Sequence, residues 1–106
     1  IDEWLQMHLD QLITLPDLCR KFGISQTYVS RLFRKYTGNS FNQHLTELRV
    51  IRAKELFNEN PNYFIKDVAL MVGYEDQFYF SRIFKAYTLK SPSEYIKEIL
   101  KIKGLY

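Results

Sequence analysis

Gln26–Thr37, QTYVSRLFRKYT, returns as Gln77–Thr88, QFYFSRIFKAYT, with seven of twelve positions identical at a shift of 51 residues. Most of the rest are conservative: Val29 with Phe80, Leu32 with Ile83, Arg34 with Lys85. In each copy apolar residues recur at spacings of three and four, which predicts a helix with one apolar face. That face takes Tyr28 or Val29, then Leu32, Phe33 and Tyr36 in the first copy, and Phe80, Ile83, Phe84 and Tyr87 in the second. The opposite face carries Gln26, Thr27, Ser30, Arg31 and Arg34, or Gln77, Phe78, Ser81, Arg82 and Lys85, without a carboxylate.

The duplication extends upstream. Leu15–Gly23 aligns with Ile65–Gly73 at a shift of 50, so the second copy has one extra residue in its turn. Each upstream segment ends at a glycine, which tolerates the left-handed conformation that closes a helix. A cap follows, Ser25 in one copy and Glu75-Asp76 in the other, before the longer helix begins. Short helix, glycine turn and longer basic helix describe a helix-turn-helix, whose second helix can enter the DNA major groove.

Three further signals complete the fold. Ile1–Leu12 reads as a helix with Leu5, Leu9 and Leu12 on one face and Trp4 and His8 beside it. Thr14-Leu-Pro-Asp17 supplies a cap, an early proline and a first-turn acid for the next short helix, whose buried side takes Leu15, Leu18, Cys19 and Phe22. Ile24 and Tyr74 plug the two turns. Ser40-Phe-Asn-Gln43 is a capping box that opens a helix running to about Asn58, with Phe41, Leu45, Leu48, Ile51 or Arg52, Leu56 and Phe57 as contacts in both lobes. Asn58–Asn62 is a turn, Tyr63 and Phe64 offer no good cap to the helix after it, and Ile65, Val68, Ala69 and Val72 form that helix's buried stripe. Ser91-Pro-Ser-Glu94 opens a last helix through Tyr95 and Ile99 towards Ile102, and the tail Lys103–Tyr106 is expected to fray. The expected architecture is all-α, about seven helices: a first lobe over 1–39, a linker helix over 40–60 and a second lobe over 61–106.

At these residues the chain resembles the DNA-binding domain of the AraC/XylS family of bacterial transcription regulators. The second copy carries the resemblance most fully, through Ile65, Val68-Ala69, Val72-Gly73-Tyr74, Gln77, Tyr79-Phe80-Ser81-Arg82, Phe84-Lys85 and Ser91-Pro92-Ser93-Glu94-Tyr95; the connecting stretch Leu45–Leu56 matches as well. Leu89 stands where the family usually has a helix-ending glycine, and Ile96 where an Arg often follows the Tyr. The resemblance implies a homeodomain-like fold and a regulator whose N-terminal part, absent from this sequence, senses a small molecule or carries the receiver of a response regulator. It also makes RNA polymerase a candidate partner and the bacterial cytoplasm, at the nucleoid, the expected location.

Composition fits this reading. With 106 residues, 46% apolar and 16% aromatic, the chain suits one compact domain or two small lobes. No apolar run approaches the roughly 18 residues that span a membrane. Ile1 rather than Met opens the chain, which reads as a fragment of a longer protein. Cys19, opposite Ala69 in the repeat, reads as a small buried side chain, and a single cysteine allows neither an internal disulfide nor a cysteine-based metal site. Net charge is only +3, yet no acid lies between Leu18 and Thr46 or from Gln77 to Ser93, the windows that hold the two repeated helices. A protein of modest charge can thereby present a phosphate-binding face.

The expected chemistry is sequence-specific binding of double-stranded DNA, without metal or cofactor. Arg31 and Arg82 are candidates for bidentate contacts to guanine, Gln26 and Gln77 for adenine edges, and Thr27 for a thymine methyl. Phe78 either touches thymine methyls or packs on a neighbouring lobe. Ser30 is a candidate for base or phosphate; Ser81, Arg34, Lys35 and Lys85 are phosphate candidates. Arg49 and Arg52, on the linker, are read equally as phosphate contacts or as structural salt bridges, for instance with Glu55. His44 reads as packing or capping. The rival readings are a protein-interaction module of paired helical hairpins, which needs no acid-free faces, and an RNA binder, which lacks aromatic sheet platforms. An enzyme is least supported, since no catalytic constellation can be assembled.

Overall fold

A computed structural model describes residues 1–104 as seven helices without strands: α1 (Asp2–Met7), α2 (Leu15–Phe22), α3 (Gln26–Thr37), α4 (Phe41–Glu59), α5 (Ile65–Met71), α6 (Gln77–Thr88) and α7 (Pro92–Ile102). Of the tail expected to fray, Leu105 and Tyr106 lie outside the described residues. Lys103 is docked, its Nζ donating to the Asn58 carbonyl at 2.8 Å. No helix is long and apolar enough to cross a membrane among the described residues.

The caps read from sequence fix most helix starts. Thr14, Ser25, Ser40 and Ser91 each accept from a backbone N–H three residues on, and Asp76 accepts from Phe78 and Tyr79. Ser40 and Gln43 form the full reciprocal box. Hydrogen bonding to Ser91 holds the Glu94 carboxyl below its ordinary range. The carboxylate's support of this helix start is therefore present at neutral pH and is lost as pH falls through that lowered value. α5 starts at Ile65 without a side-chain cap.

α4 holds the molecule together because its buried residues change phase midway. Phe41, His44, Leu45 and Leu48 form one stripe; Phe41, Leu45 and Leu48 join the first core, with Leu5, Leu9, Ile13, Leu18, Cys19, Val29 and Phe33, and His44 packs on Phe33. Val50, Ala53, Leu56 and Phe57 form a second stripe and join Val68, Ala69, Val72, Phe80, Phe84 and Ile99. At about 100° per residue the second stripe is turned roughly 140° from the first, so the two cores lie on different sides of one rod. Nineteen residues give that rod a length of about 28 Å within a 50 × 23 × 22 Å molecule.

Several expectations are corrected by this packing. α1 ends at Met7, not Leu12: the His8 ring bonds the Trp4 carbonyl at 2.7 Å, and i→i+3 turns follow. Leu12 is consequently 90% exposed and Ile13 enters the core instead. Phe22 is partly exposed, edge-on to Trp4 at 6.0 Å. Tyr36 stays in phase with the buried stripe but runs past the core and is exposed. Ile51 is exposed and Arg52 pairs with Glu55 and Glu59 at 2.9 and 3.5 Å; Val50 and Ala53 face the second core in their place.

The lobes also touch directly. A Cβ on Gly73 would lie 2.2 Å from the Leu9 carbonyl oxygen and 3.0 Å from the Arg49 guanidinium carbon, and the residue sits at φ +99°. Only glycine fits this close approach. Arg49, between the two stripes of α4, donates from Nη2 to the Gln11 carbonyl at 2.9 Å and lies over the Tyr74 ring at 5.4 Å. Burial raises the Tyr74 hydroxyl above its ordinary range, against the opposing pull of Arg49.

Two backbone predictions follow from these conformations. Gly73→Ala is expected to destabilise the chain by more than about 2 kcal/mol, read by thermal or denaturant unfolding, because backbone must move to admit the methyl. Leu89 ends α6 at φ +69°, is 83% exposed, and occupies the position that Gly38 fills after α3 at φ +74°. Leu89→Gly should stabilise by about 1 kcal/mol in the same assay; a loss of stability would contradict the reading of Leu89 as a strained cap.

Candidate nucleic-acid interface

Two helix-turn-helix units, α2–α3 and α5–α6, present the repeated segments. In the first, Gly23 takes a left-handed conformation after Phe22, and Ile24 packs on the first core. In the second, Gly73 and the half-buried Tyr74 play these parts, with one residue more before the Asp76 cap. The buried side of α3 rests on Val29 and Phe33, and that of α6 on Phe80 and Phe84. Where the α3 pattern allowed Tyr28 or Val29 inward, Val29 is fully buried and Tyr28 is 54% exposed.

The repeat identities separate by role. The Phe33 and Phe84 pair is core. The Thr37 and Thr88 pair closes the helices: each hydroxyl donates to the carbonyl four residues back, Phe33 or Phe84, and accepts from the N–H of Asn39 or Lys90. The remaining five pairs, Gln, Tyr, Ser, Arg and Tyr, lie at or near the surface. Neither lobe's packing requires them to be alike.

On α3 the structure places Gln26, Thr27, Arg31, Arg34 and Lys35 in solvent and Ser30 half-buried. On α6 it places Phe78, Arg82 and Lys85 in solvent, with Gln77 and Ser81 half-buried. The Ser81 hydroxyl donates to the Gln77 carbonyl at 2.9 Å, leaving its oxygen to accept. Phe78 is 70% exposed, so it does not pack on a neighbouring lobe. Among the described residues, none of Arg31, Arg34, Lys35, Arg82 and Lys85 forms an ion pair, whereas Arg20 pairs with Asp17, Arg52 with Glu55, and Lys90 with Glu98.

Arg49 stands apart from these faces. Its guanidinium is directed to Gln11 and Tyr74, and its bond is to a carbonyl rather than to the carboxylate that a structural salt bridge would need. His44 is buried, bonds Asp2 at 2.9 Å through Nε2 and packs on Phe33, a structural position.

Sequence pattern alone passes over Tyr79, which is 46% exposed. Its ring lies 5.7 Å from the Arg82 guanidinium and 5.9 Å from the Tyr74 ring, so it orients the arginine by a cation–π contact. The signal was the Tyr-x-x-Arg spacing present in both copies, obscured because tyrosine counts equally well as an apolar residue. Among the described residues no cluster of His, Cys, Asp and Glu is placed to hold a metal ion.

Comparison with known proteins agrees with this geometry. A family model described as a helix-turn-helix domain matches residues 18–98. The transcriptional activator Btr of Bacillus subtilis is 42% identical over 103 residues, covering 97% of this chain and 19% of Btr. The regulatory protein SoxS of Salmonella typhimurium is 34% identical over 95 residues, covering 88% of this chain and 86% of SoxS. The solved C-terminal domain of AraT, a response regulator from Geobacillus stearothermophilus, superposes with a TM-score of 0.84 at 33% identity, over 91% of this chain and 79% of that one. The chain spans 19 to 34% of the length of the first three curated relatives it matches. Two helix-turn-helix units on a shared linker helix, matched by a family model over most of the chain and by a relative of nearly the same length, place it within one family: the chain belongs to the AraC family of transcription regulators, as its helix-turn-helix DNA-binding domain.

Proposed function

We propose that this chain reads two successive major-groove segments of a DNA duplex, one with α3 and one with α6. The observation that carries this is the duplicated outer face: Gln, Ser and Arg recur at matching positions, carboxylates are absent, and the cations form no ion pair among the described residues. Arg31 and Arg82 present planar forks suited to the O6 and N7 acceptors of guanine, and Gln26 and Gln77 suit adenine. Thr27 and Phe78 offer apolar contact to thymine methyls. Phe78 makes the second block the more apolar in preference. Ser30 serves base or phosphate; Arg34, Lys35, Ser81 and Lys85 hold phosphates and set register. Arg49 is turned inward and serves the reading indirectly. An α4 of about 28 Å suits two readers spaced near the roughly 34 Å of one DNA turn.

On this reading the chain is the DNA-reading end of a longer bacterial regulator, working in the cytoplasm at the nucleoid. Its remaining part carries a small-molecule sensor or a phosphorylated receiver. The likeness to AraT, a response regulator, supports the receiver, and the likeness to Btr, an activator, supports RNA polymerase as a partner at the promoter.

Fluorescence anisotropy against a randomised duplex pool, with selection and a salt series, tests the reading. The expected result is a site of two blocks about ten base pairs apart and a steep loss of affinity with salt. No binding at low salt would refute it. On the selected site Arg82→Ala should cost about 1–3 kcal/mol at one base pair and relax preference there. Arg34→Ala should weaken all sequences alike and reduce the slope of log K against log salt by about one.

A further inference from the structure

Arg49 is a half-buried cation on α4 that makes no direct contact in the proposed reading. Its position is unusual in three respects. It lies on α4 between Leu48, the last residue of the first buried stripe, and Val50, the first of the second. Its fork reaches into both lobes, bonding the Gln11 carbonyl after α1 and covering the Tyr74 ring before α6. Its Nε is buried without a partner, and Gly73 lies so close that a Cβ there would sit 3.0 Å from it.

We infer that Arg49 is a positioning residue for DNA reading: it locks the α5–α6 turn against the segment after α1, fixing the separation and relative rotation of the two recognition helices. The inference rests on the two-segment reading proposed above. A continuous α4 sets the distance between the lobes but leaves the second lobe able to rock about it. The Arg49 contact lies off the α4 axis, beside the turn that launches α6, where it opposes that rocking directly. Tyr79 extends the chain of contacts, since it touches both Tyr74 and Arg82. The consequence is a protein that discriminates the spacing of its two DNA blocks and not only their sequence. Shifting one block by a base pair moves it about 3.4 Å along and about 34° around the duplex axis, which locked readers cannot follow.

Two measurements on the whole chain test this, with Arg49→Met, which keeps the apolar stem and removes the fork. In the first, affinity is measured for duplexes carrying the selected blocks at the selected separation and at one and two base pairs either side. The wild-type chain should lose at least about fivefold per base pair of displacement. Arg49→Met should lose most of that discrimination while keeping its salt slope and its affinity for a single block. Uniform weakening at every spacing, with the salt slope reduced by about one, would overturn the inference and make Arg49 a phosphate contact. Arg49→Lys separates the two further: it keeps a charge for phosphate but not the planar fork, so spacing discrimination should not return.

The second measurement needs no DNA. Spin labels at Tyr36→Cys and Ala86→Cys, in a Cys19→Ala background, report the distance between α3 and α6. A narrow distribution in the labelled parent that broadens in Arg49→Met supports the lock; equal widths overturn it. If Arg49→Met does not fold, Tyr74→Leu removes the ring beneath the guanidinium and carries both readouts. A chain that binds no DNA yet shows the narrow-to-broad change refutes the DNA reading alone; one that binds DNA with equal widths refutes the lock alone.

Discussion

One helix has to satisfy two hydrophobic cores, and that constraint organises the molecule. A helix that packs on a single core shows one apolar stripe; α4 shows two, on different sides, with Arg49 where they meet. Each lobe is too small to bury much apolar surface by itself, and small cores gain little stability over their conformational entropy. By sharing α4, the first lobe completes its core with three apolar side chains and the second with four, from a rod that both hold in place. The second core adds an aromatic cluster in which Phe57, Phe80, Phe84 and Tyr95 pack at centroid distances of 5.4 to 6.4 Å.

With the interior settled in this way, the outer faces of α3 and α6 take little part in folding. Their glutamines, arginines and outer tyrosines make no contribution to either core, and their like identities in the two copies point outward, to a common kind of partner. The threonine pair illustrates the opposite case. Thr37 and Thr88 are identical because each must accept one N–H and donate to one carbonyl at the same helix end. Identity within a repeat acquires meaning only once each position's internal obligations are known.

The local features were legible in the sequence for physical reasons. Caps, glycine turns and 3.6-residue periodicity act over a few residues, and all seven helices, the two turns and the outward positions of the recognition helices could be read from them. What could not be read depends on contacts distant in sequence. Leu12 and Ile13 are equally apolar neighbours, and the His8 bond to Trp4 decides which one faces inward. Ile51 fits a continuous stripe along α4, but the lobes lie on different sides of the helix and the stripe breaks there. Arg49 shows no local signal for its partners, because Gln11 and Tyr74 are 38 residues before it and 25 after it in the chain. Tyr79 was hidden by its own duality as an apolar ring with a polar edge.

The phase change within α4 also limits how such a protein can vary in length. The second copy has one residue more in its turn and the same helix-turn-helix fold, since a turn absorbs a length difference by local rearrangement. One residue more within α4 would swing everything beyond it by about 100° and advance it by about 1.5 Å. Gly73 would leave the Leu9 carbonyl, and α3 and α6 would lose their present relation to one another. Changes in the reach of the molecule would therefore have to come close to whole helical turns, making α4 a ruler graduated in steps of about 5.4 Å.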